Sequence, residues 1–516
     1  MAKLRLYVLC SSEAARQEWR GRAACYPDLE IEPLLVAGSH WRALLEIVRE
    51  PTPRPVLVCR EDVWFGKGFG AAVEGLLAEL DRDWPGWSIC GNRGAAWDGR
   101  VVDYTRDRNL AGLQTGVGVR SVLTLDDDLL LVNPAAFSGH DSVEIPEPKG
   151  QAFGLVASLS SILNGSAPLA DRRLMAIRTD PEAARRQADF VNGAAFRDYW
   201  RARFVNHRLP TADQVFDLAG AVDYRALDPR AGQSRSDLVA LCDRALCRTR
   251  ARRPTLAICC RTQFKRPRLL RRALTSIVAS ALAARAFVDS EIVLVTDAGE
   301  GAADEFQRDF GAVFPDAGVR CIHHRVRPGR HSRADLLLAG IEQAQTDYVW
   351  FVDDDDFLLP GAVTAAARAM LPGQPVLLVG NTVAWNEPPG EEAPGSFRSR
   401  FHAEDVFKVF AGVNRVPVCG MILPVRLAQQ RLRERGALGD YSEDYFVLLA
   451  LMTAPRIEIL TLDADLCGIS FRGQESTAAE TDLSRWYLSD STVLLELLSS
   501  DDTNNPLLWQ LSQRIP

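Results

Sequence analysis

The sequence predicts an α/β protein of two tandem domains, each a mixed, mostly parallel sheet flanked by helices. Three observations predict it. Short apolar runs alternate with helix-length amphipathic segments along most of the chain, as in a layered α/β fold. The apolar run Tyr348 to Val352 is followed at once by Asp353, Asp354, Asp355 and Asp356, so a buried strand ends in carboxylates. Parallel sheets hold ligands beyond such strand ends. Finally, ICGNRGAAWDG from Ile89 to Gly99 is echoed by LVGNTVAWNE from Leu378 to Glu387. Each copy lies roughly 25 to 30 residues after an acidic strand end, REDVWF or VDDDDF, which suggests a duplicated unit.

In order, the first domain spans residues 1–235. Leu4 to Leu9 reads as a strand and Ser11 to Ala24 as a helix. Glu32 to Val36 is a strand, Trp41 to Arg49 a helix, and Val56 to Cys59 a strand ending at Arg60, Glu61 and Asp62. Phe69 to Leu80 is helical, and Trp87 to Cys90 is a strand running into Gly91 and Asn92. Ser121 to Thr124 leads into Asp126, Asp127 and Asp128. Residues 151–225 are more helical, with an amphipathic segment at Pro181 to Asp198. A linker follows over 236–253, a bridging helix at Asp237 to Leu246 and then the basic cluster Arg248, Arg250, Arg252 and Arg253. Before it, Asp228 to Ser236 is rich in Gly, Arg and Ser.

The second domain spans 254–478. Thr255 to Cys260 is a strand, Arg261 to Pro267 a loop, and Arg268 to Ala284 a helix. Glu291 to Thr296 is a strand ending at Asp297, with a helix near Ala302 to Phe310. Val319 to His323 is a strand and Arg325 to Arg330 a basic loop. Ser332 can cap a helix running to Gln345. After the acidic strand come a helix at Gly361 to Met370, a strand at Val376 to Val379, and a helix at Tyr441 to Met452 that opens with acids. Strands lie near Ile457 to Leu460 and Leu466 to Ser470. Residues 479–516 form a helical tail without evident chemistry.

Composition narrows the function classes. A hydrophobic share of 47% and a net charge of -7 suit a soluble globular protein and give no reason to expect nucleic acid as a partner. The 11 cysteines form no CxxC pair, which fits reduced, buried thiols in a cytoplasm. No signal peptide or spanning helix is expected, so the chain should be soluble or at most peripheral to a membrane. Four adjacent carboxylates repel one another, and a divalent cation relieves that repulsion. Oxygen ligands point to Mg²⁺ or Mn²⁺. The same run would also suit a solvated acidic turn. Glu443 and Asp444 likewise read either as a reactive pair or as favourable charge at a helix start.

The elements of the second domain, in this order, resemble the family 2 glycosyltransferases with the nucleotide-sugar-binding, Rossmann-like GT-A fold. ADLLLAGIEQAQTDYVWFVDDDD is the most specific stretch, and the resemblance covers about 254–475. It implies an inverting, metal-dependent transferase that moves a hexosyl or related group from a nucleotide-diphosphate sugar to a glycan or lipid-linked glycan acceptor. The family context implies bacterial surface polysaccharide, made in the cytoplasm or at the inner face of the membrane. Carried over residue by residue, Thr262 and Asp297 hold base and ribose, and Arg266 and Arg333 approach the nucleotide. Asp353 and Asp355 form the D-x-D pair, with Asp355 the direct ligand of Mn²⁺ or Mg²⁺ and Asp353 facing ribose or metal-bound water. Asp354 lies beside them on the donor side, Asp356 supports the acceptor side, and Asp444 of the Glu443–Asp444 pair is the catalytic base. The family's Arg/His element reads ISFRGQEST here, with Arg472 and no His; His323, His324 and His331 lie elsewhere.

The first domain resembles the same GT-A-like fold more loosely. Glu61 and Asp62 take the D-x-D place as a possible second site, but QAFGLVASLSSIL, where the base should lie, carries Gly154 and Ala157 and no acid. A second active transferase, a degenerate binding domain and a scaffold all stay open. Other readings of the whole chain are a bifunctional transferase, a sugar nucleotidyltransferase and a non-catalytic glycan-binding or assembly protein. CCRTQFKRP lacks the glycines a nucleotidyltransferase loop would use.

Overall fold

The computed structural model describes residues 3–50, 54–96, 101–103, 105–107, 119–137, 152–178, 191–192, 194–204, 208–210, 215–218, 237–313, 318–326, 332–387, 395–411, 415–435, 443–454 and 457–472. The chain forms two compact units, Met1–Arg252 and Arg253–Pro516. Residues 228–236, most of the expected helix at 181–198, Arg327 to Arg330 of the basic loop, His331 and the 479–516 tail lie outside the described residues.

In the first unit the strands are β1 (Leu4–Cys10), β2 (Leu29–Leu35), β3 (Val56–Arg60), β4 (Ile89–Gly91), β5 (Leu129–Val132) and β6 (Leu169–Ala170). They build a seven-stranded sheet in the order β2-β1-β3-β5-β4-β6, with Arg120–Ser121 at its edge. Its helices include α1 (Glu13–Arg22), α2 (His40–Arg49), α3 (Phe69–Asp83), α4 (Phe153–Leu163) and α5 (Leu238–Thr249). The segment read as a bridging helix is α5. Asp237 caps it by accepting from Val239 N at 2.9 Å. Leu238 belongs to the first unit's core, and Thr249 Oγ1 accepts from Ala167 N at 2.9 Å.

In the second unit the strands are β7 (Thr255–Thr262), β8 (Asp289–Thr296), β9 (Val319–His323), β10 (Tyr348–Asp353), β11 (Val376–Asn386), β12 (Met421–Pro424) and β13 (Glu458–Phe471). They run β9-β8-β7-β10-β12-β11-β13 within a nine-stranded sheet. Helices α6 (Pro267–Ala283), α7 (Glu300–Val313), α8 (Ser332–Gln343), α9 (Ala362–Ala369), α10 (Val425–Arg435) and α11 (Glu443–Met452) complete this unit.

Several element boundaries differ from the sequence reading, for reasons of pairing. Arg261 and Thr262 are strand, not loop, because the ladders run through them: Arg261 pairs with Val295 on one side and Asp353 on the other, and Thr262 with Thr296. The two strands expected near 457–470 are one, β13. Its pairing with β11 shifts register between Gly380 and Thr382, and the polar residues at that irregularity had looked like a break. The strand β12 and helix α10 carried no signal strong enough to be read. Ser121 to Thr124 divides between two short strands of different sheets.

Six strands of the first sheet match six of the second, in which β9 has no counterpart among the described residues. β1 pairs parallel with β2 and β3, β5 is antiparallel to β3 and β4, and β6 returns parallel to β4. In the second unit β7 pairs parallel with β8 and β10, β12 is antiparallel to β10 and β11, and β13 returns parallel to β11. The sequence echo falls on the matched pair β4 and β11. A helix precedes each returning strand, α4 in one unit and α11 in the other.

Tyr348 to Val352 are fully buried in β10. Trp350 Nε1 donates to the Cys419 carbonyl at 2.7 Å, so its indole is satisfied inside the core. Gly340 lets α8 lie directly on this strand, since a Cβ there would come within 2.7 Å of the Phe351 ring.

In the first unit Asp127 is buried and accepts from Gly154 N at 2.7 Å. Burial pushes its carboxyl up to about 7. The folded state thus holds this proton more tightly than the unfolded chain, and that contribution is lost as pH rises from the unfolded value through about 7. Asp127→Asn should therefore stabilise the first unit above pH 7, by roughly 1–3 kcal/mol, with the gain shrinking toward pH 5. Denaturant unfolding at the two pH values measures it.

Candidate active site

The register of β7 sets Arg261 beside Asp353 at the carboxyl edge of the second sheet. The Arg261 side chain is only 3% exposed. Its Nε and Nη2 donate to the two oxygens of Asp353 at 2.7 and 3.0 Å. Its Nη1 donates to Glu443 Oε1 and to the Arg333 carbonyl, both at 3.1 Å. The Arg333 guanidinium lies 3.4 Å from Asp353 and 3.2 Å from Glu443. Two cations thus face two carboxylates that come from β10 and α11. Burial alone would raise both acids, but Arg261 and Arg333 hold Asp353 and Glu443 below the usual carboxylate range.

The next three aspartates are handled differently. Asp354 accepts from Thr262 Oγ1 at 2.8 Å, and burial together with the Asp355 charge raises it to about 6. Asp355 is partly exposed and pairs with Arg266, the residue that opens α6. Asp356 is buried and is pushed well above the carboxylate range, chiefly by that burial. The turn is also braced from outside. Arg272 donates to the Asp355 carbonyl at 2.6 Å and to Glu387 at 2.9 Å, and Arg472 reaches Glu387 at 3.2 Å.

At the start of α11, Asp444 accepts from Tyr445 N at 2.8 Å. Burial and the neighbouring Glu443 charge raise Asp444 to about 7. Of two adjacent carboxyls, one is therefore held ionised and the other titrates near neutrality. On the other flank Gln263 Nε2 donates to Asp297 and to Ser332 Oγ, both at 3.0 Å. Phe264 next to it has φ of 56°, a left-handed backbone that a bulky residue adopts only under constraint, and its ring lies 5.4 Å from Phe306.

The structure thus gathers Arg333, Asp353, Glu443 and Asp444 into one cluster. Thr262, Arg266, Asp354 and Asp355 are linked beside it, and Asp297 lies on its Gln263 flank. His323 is exposed, and His324 Nε2 is 4.0 Å from Asp335. Sequence reading places Arg261 in the Thr/Arg/Pro stretch without a role and does not find Gln263, Arg272 and Glu387. Only Arg261 had a local signal, a cation ending the apolar run TLAICC.

In the first unit Glu61 accepts from Ser11 N at 2.8 Å and Ser11 Oγ at 2.5 Å, while Asp62 pairs with the buried Arg60 at 2.9 Å. The position matching Asp444, second in its helix, is Gly154. A Cβ there would lie 2.2 Å from the Asp126 carbonyl oxygen, so the Asp126–Asp128 turn fills the space a base would need.

Among the described residues, no group of three or more His, Cys, Asp or Glu side chains is arranged to hold a metal. Both Asp353 oxygens are taken by Arg261, which leaves Asp355 as the partly exposed carboxylate of the pair. One carboxylate suits Mg²⁺ or Mn²⁺, which take most remaining ligands from substrate phosphates and water. No described helix is long and apolar enough to cross a membrane.

Residues 252–487 match the family model described as "Glycosyltransferase like family 2". No curated protein matches the sequence at a significant level. Among solved structures, S. aureus TarS 1-349 in complex with UDP-GlcNAc is 15% identical, over 50% of this chain and 72% of that one, with a TM-score of 0.34. The mannosyltransferase PcManGT from Pyrobaculum calidifontis, in complex with GDP-Man and Mn²⁺, is 12% identical, over 50% and 69%, with a TM-score of 0.32. The family match and the α/β sheet agree, and the second half of the chain is a glycosyltransferase family 2 domain, that of a transferase.

Proposed function

We propose that the second unit transfers a sugar from a nucleotide-diphosphate donor to a glycan acceptor, with inversion and with help from a divalent cation. The observation that carries this is the link from Asp353 through Arg261 to Glu443, which brings a donor-side carboxylate and the Glu443–Asp444 pair together at one edge of the sheet. Thr262, Asp297, Arg266 and Arg333 line the donor side, with Asp354 next to Thr262. Asp355 would hold the cation, which when bound supplies Lewis-acid stabilisation of the departing diphosphate. Asp444 takes the proton of the acceptor hydroxyl as that oxygen attacks the anomeric carbon. A single displacement inverts that centre. The reading extends to a free or lipid-linked glycan of a bacterial surface polysaccharide, extended in the cytoplasm or at the inner face of the membrane.

Donor turnover and binding across UDP-, GDP- and dTDP-sugars with Mn²⁺ test this reading. One donor class should turn over, Asp355→Ala should lose donor binding, and Asp444→Asn should bind yet lose at least ~100-fold in kcat. If no donor binds, or both variants behave as wild type, the reading fails. Because Asp444 acts as the carboxylate and its pKa is about 7, kcat should fall about tenfold per pH unit below pH 7 and level off above it. A flat profile between pH 5.5 and 8 would exclude Asp444 as the base.

The first unit, in our reading, does not turn over donor, because the Asp126 carbonyl occupies the space of a base and Glu61 and Asp62 are engaged by Ser11 and Arg60. Calorimetric titration with the nucleoside diphosphate of the active donor should give one site per chain. Two equal sites, or residual turnover in Asp444→Asn that vanishes with Asp62→Asn, would restore the bifunctional reading.

A further inference from the structure

We propose that Arg261 is a positioning residue of the transfer reaction, a rigid tie that fixes the donor-side Asp353 against the Glu443–Asp444 pair that opens α11. The inference rests on the transferase reading above and deepens it, giving a role in the reaction to the residue that links its two acidic segments.

The geometry singles out this side chain. Its guanidinium makes four hydrogen bonds to three elements besides its own: two to Asp353 on β10, one to Glu443 on α11 and one to the Arg333 carbonyl on α8. These partners lie 92, 182 and 72 residues away along the chain. A planar guanidinium presents its donors in a fixed fork, so both oxygens of Asp353 are set at once, and the third nitrogen then fixes where Glu443 stands. Lysine has three donors on a flexible stem and cannot reproduce that fork.

Stability alone explains the arrangement poorly. A buried ion pair costs several kcal/mol of desolvation per ion, and an apolar residue of similar volume often serves a core equally well. The neighbouring strand residues Cys259 and Cys260 are such apolar fillers. What an apolar residue at 261 could not do is orient two carboxylates from distant segments. Arg333 touches the same two acids but is 35% exposed and holds Asp353 only at 3.4 Å. It can compensate charge when Arg261 is lost, without setting the geometry. This makes an Arg261 variant that folds but reacts slowly the natural expectation. A displacement of about 1 Å between reacting groups costs on the order of 100-fold in rate.

The test uses the full chain, the donor class that turns over, and the variants Arg261→Lys, Glu443→Gln and the double variant. For Arg261→Lys we expect a melting temperature within a few degrees of wild type, a donor KM within about threefold, and kcat lower by ~100-fold. The double variant should be no more than about threefold slower than the slower single variant, because both changes cut the same tie. If Arg261→Lys does not fold, Glu443→Gln breaks the other end, and the same loss of kcat at unchanged KM is expected of it. The proposal is overturned if Arg261→Lys keeps kcat within about threefold, if the two single losses multiply in the double variant, or if Glu443→Gln turns over normally. A wild-type chain that turns over no donor sinks the transferase reading, and this proposal with it. Turnover by wild type together with an indifferent Arg261→Lys sinks only the proposal.

Discussion

Four consecutive aspartates at a buried strand end cannot all stay ionised without compensation, and the compensation each receives decides which can react. Asp353 is held ionised by two guanidiniums against its own burial. Asp354 leans toward the neutral form, with a threonine hydroxyl as its partner. Asp356 is buried and held neutral. Asp355 is partly exposed, and its cation, Arg266, is itself near solvent. An ion pair of that kind exchanges partners cheaply, whereas the buried pairing of Asp353 with Arg261 does not. The different partners that meet these four carboxylates, and the burial of Asp356, therefore turn a uniform sequence, DDDD, into four chemically distinct groups.

The same sheet topology without that charge pattern gives the first unit a different character. Arg60 stands at the end of β3, where Asp353 stands at the end of β10, and the acids come instead from the Asp126–Asp128 turn. Cation and anion have changed elements, and the balance is closed within the unit itself. Gly154 is required there because the turn carbonyl passes where a side chain would start. A glycine and an aspartate at matched helix positions thus separate a position with no room for a side chain from one that carries a carboxylate. Strand order is insensitive to the difference, which is why topology alone cannot assign chemistry to both units.

Much of the fold was legible in the sequence because its strands are short, apolar and fully buried, with helices of clear periodicity between them. Tyr348 to Val352 and Val56 to Cys59 were readable on that ground. β12 and α10 were not, since RLAQQRLRER offers few apolar positions and MILP is barely strand length. For the site, the acidic run and the Glu443–Asp444 pair were visible as local concentrations of charge. Arg272 and Glu387 were not, because their meaning lies in a pairing across 115 residues that no local pattern encodes. Arg261 fell between these cases: its residue type was anomalous, but its partners were unreadable.

The Glu443–Asp444 pair shows why the second acid, not the first, suits the role of base. Both stand at the start of α11, where the helix dipole favours negative charge, so the dipole does not discriminate between them. Guanidiniums do. Glu443 Oε1 lies within 3.2 Å of Arg261 and Arg333, and the two guanidiniums hold the group as a carboxylate. A group held that way is a poor proton acceptor, because both cations favour its charged form. Asp444 is raised to about 7 by burial and by the fixed charge next to it, so it can gain and lose a proton near neutral pH. Glu443 thereby contributes through its charge and its anchoring, and Asp444 through its proton. Each depends on the other: without the anchored neighbour, the base would be weaker and less well placed.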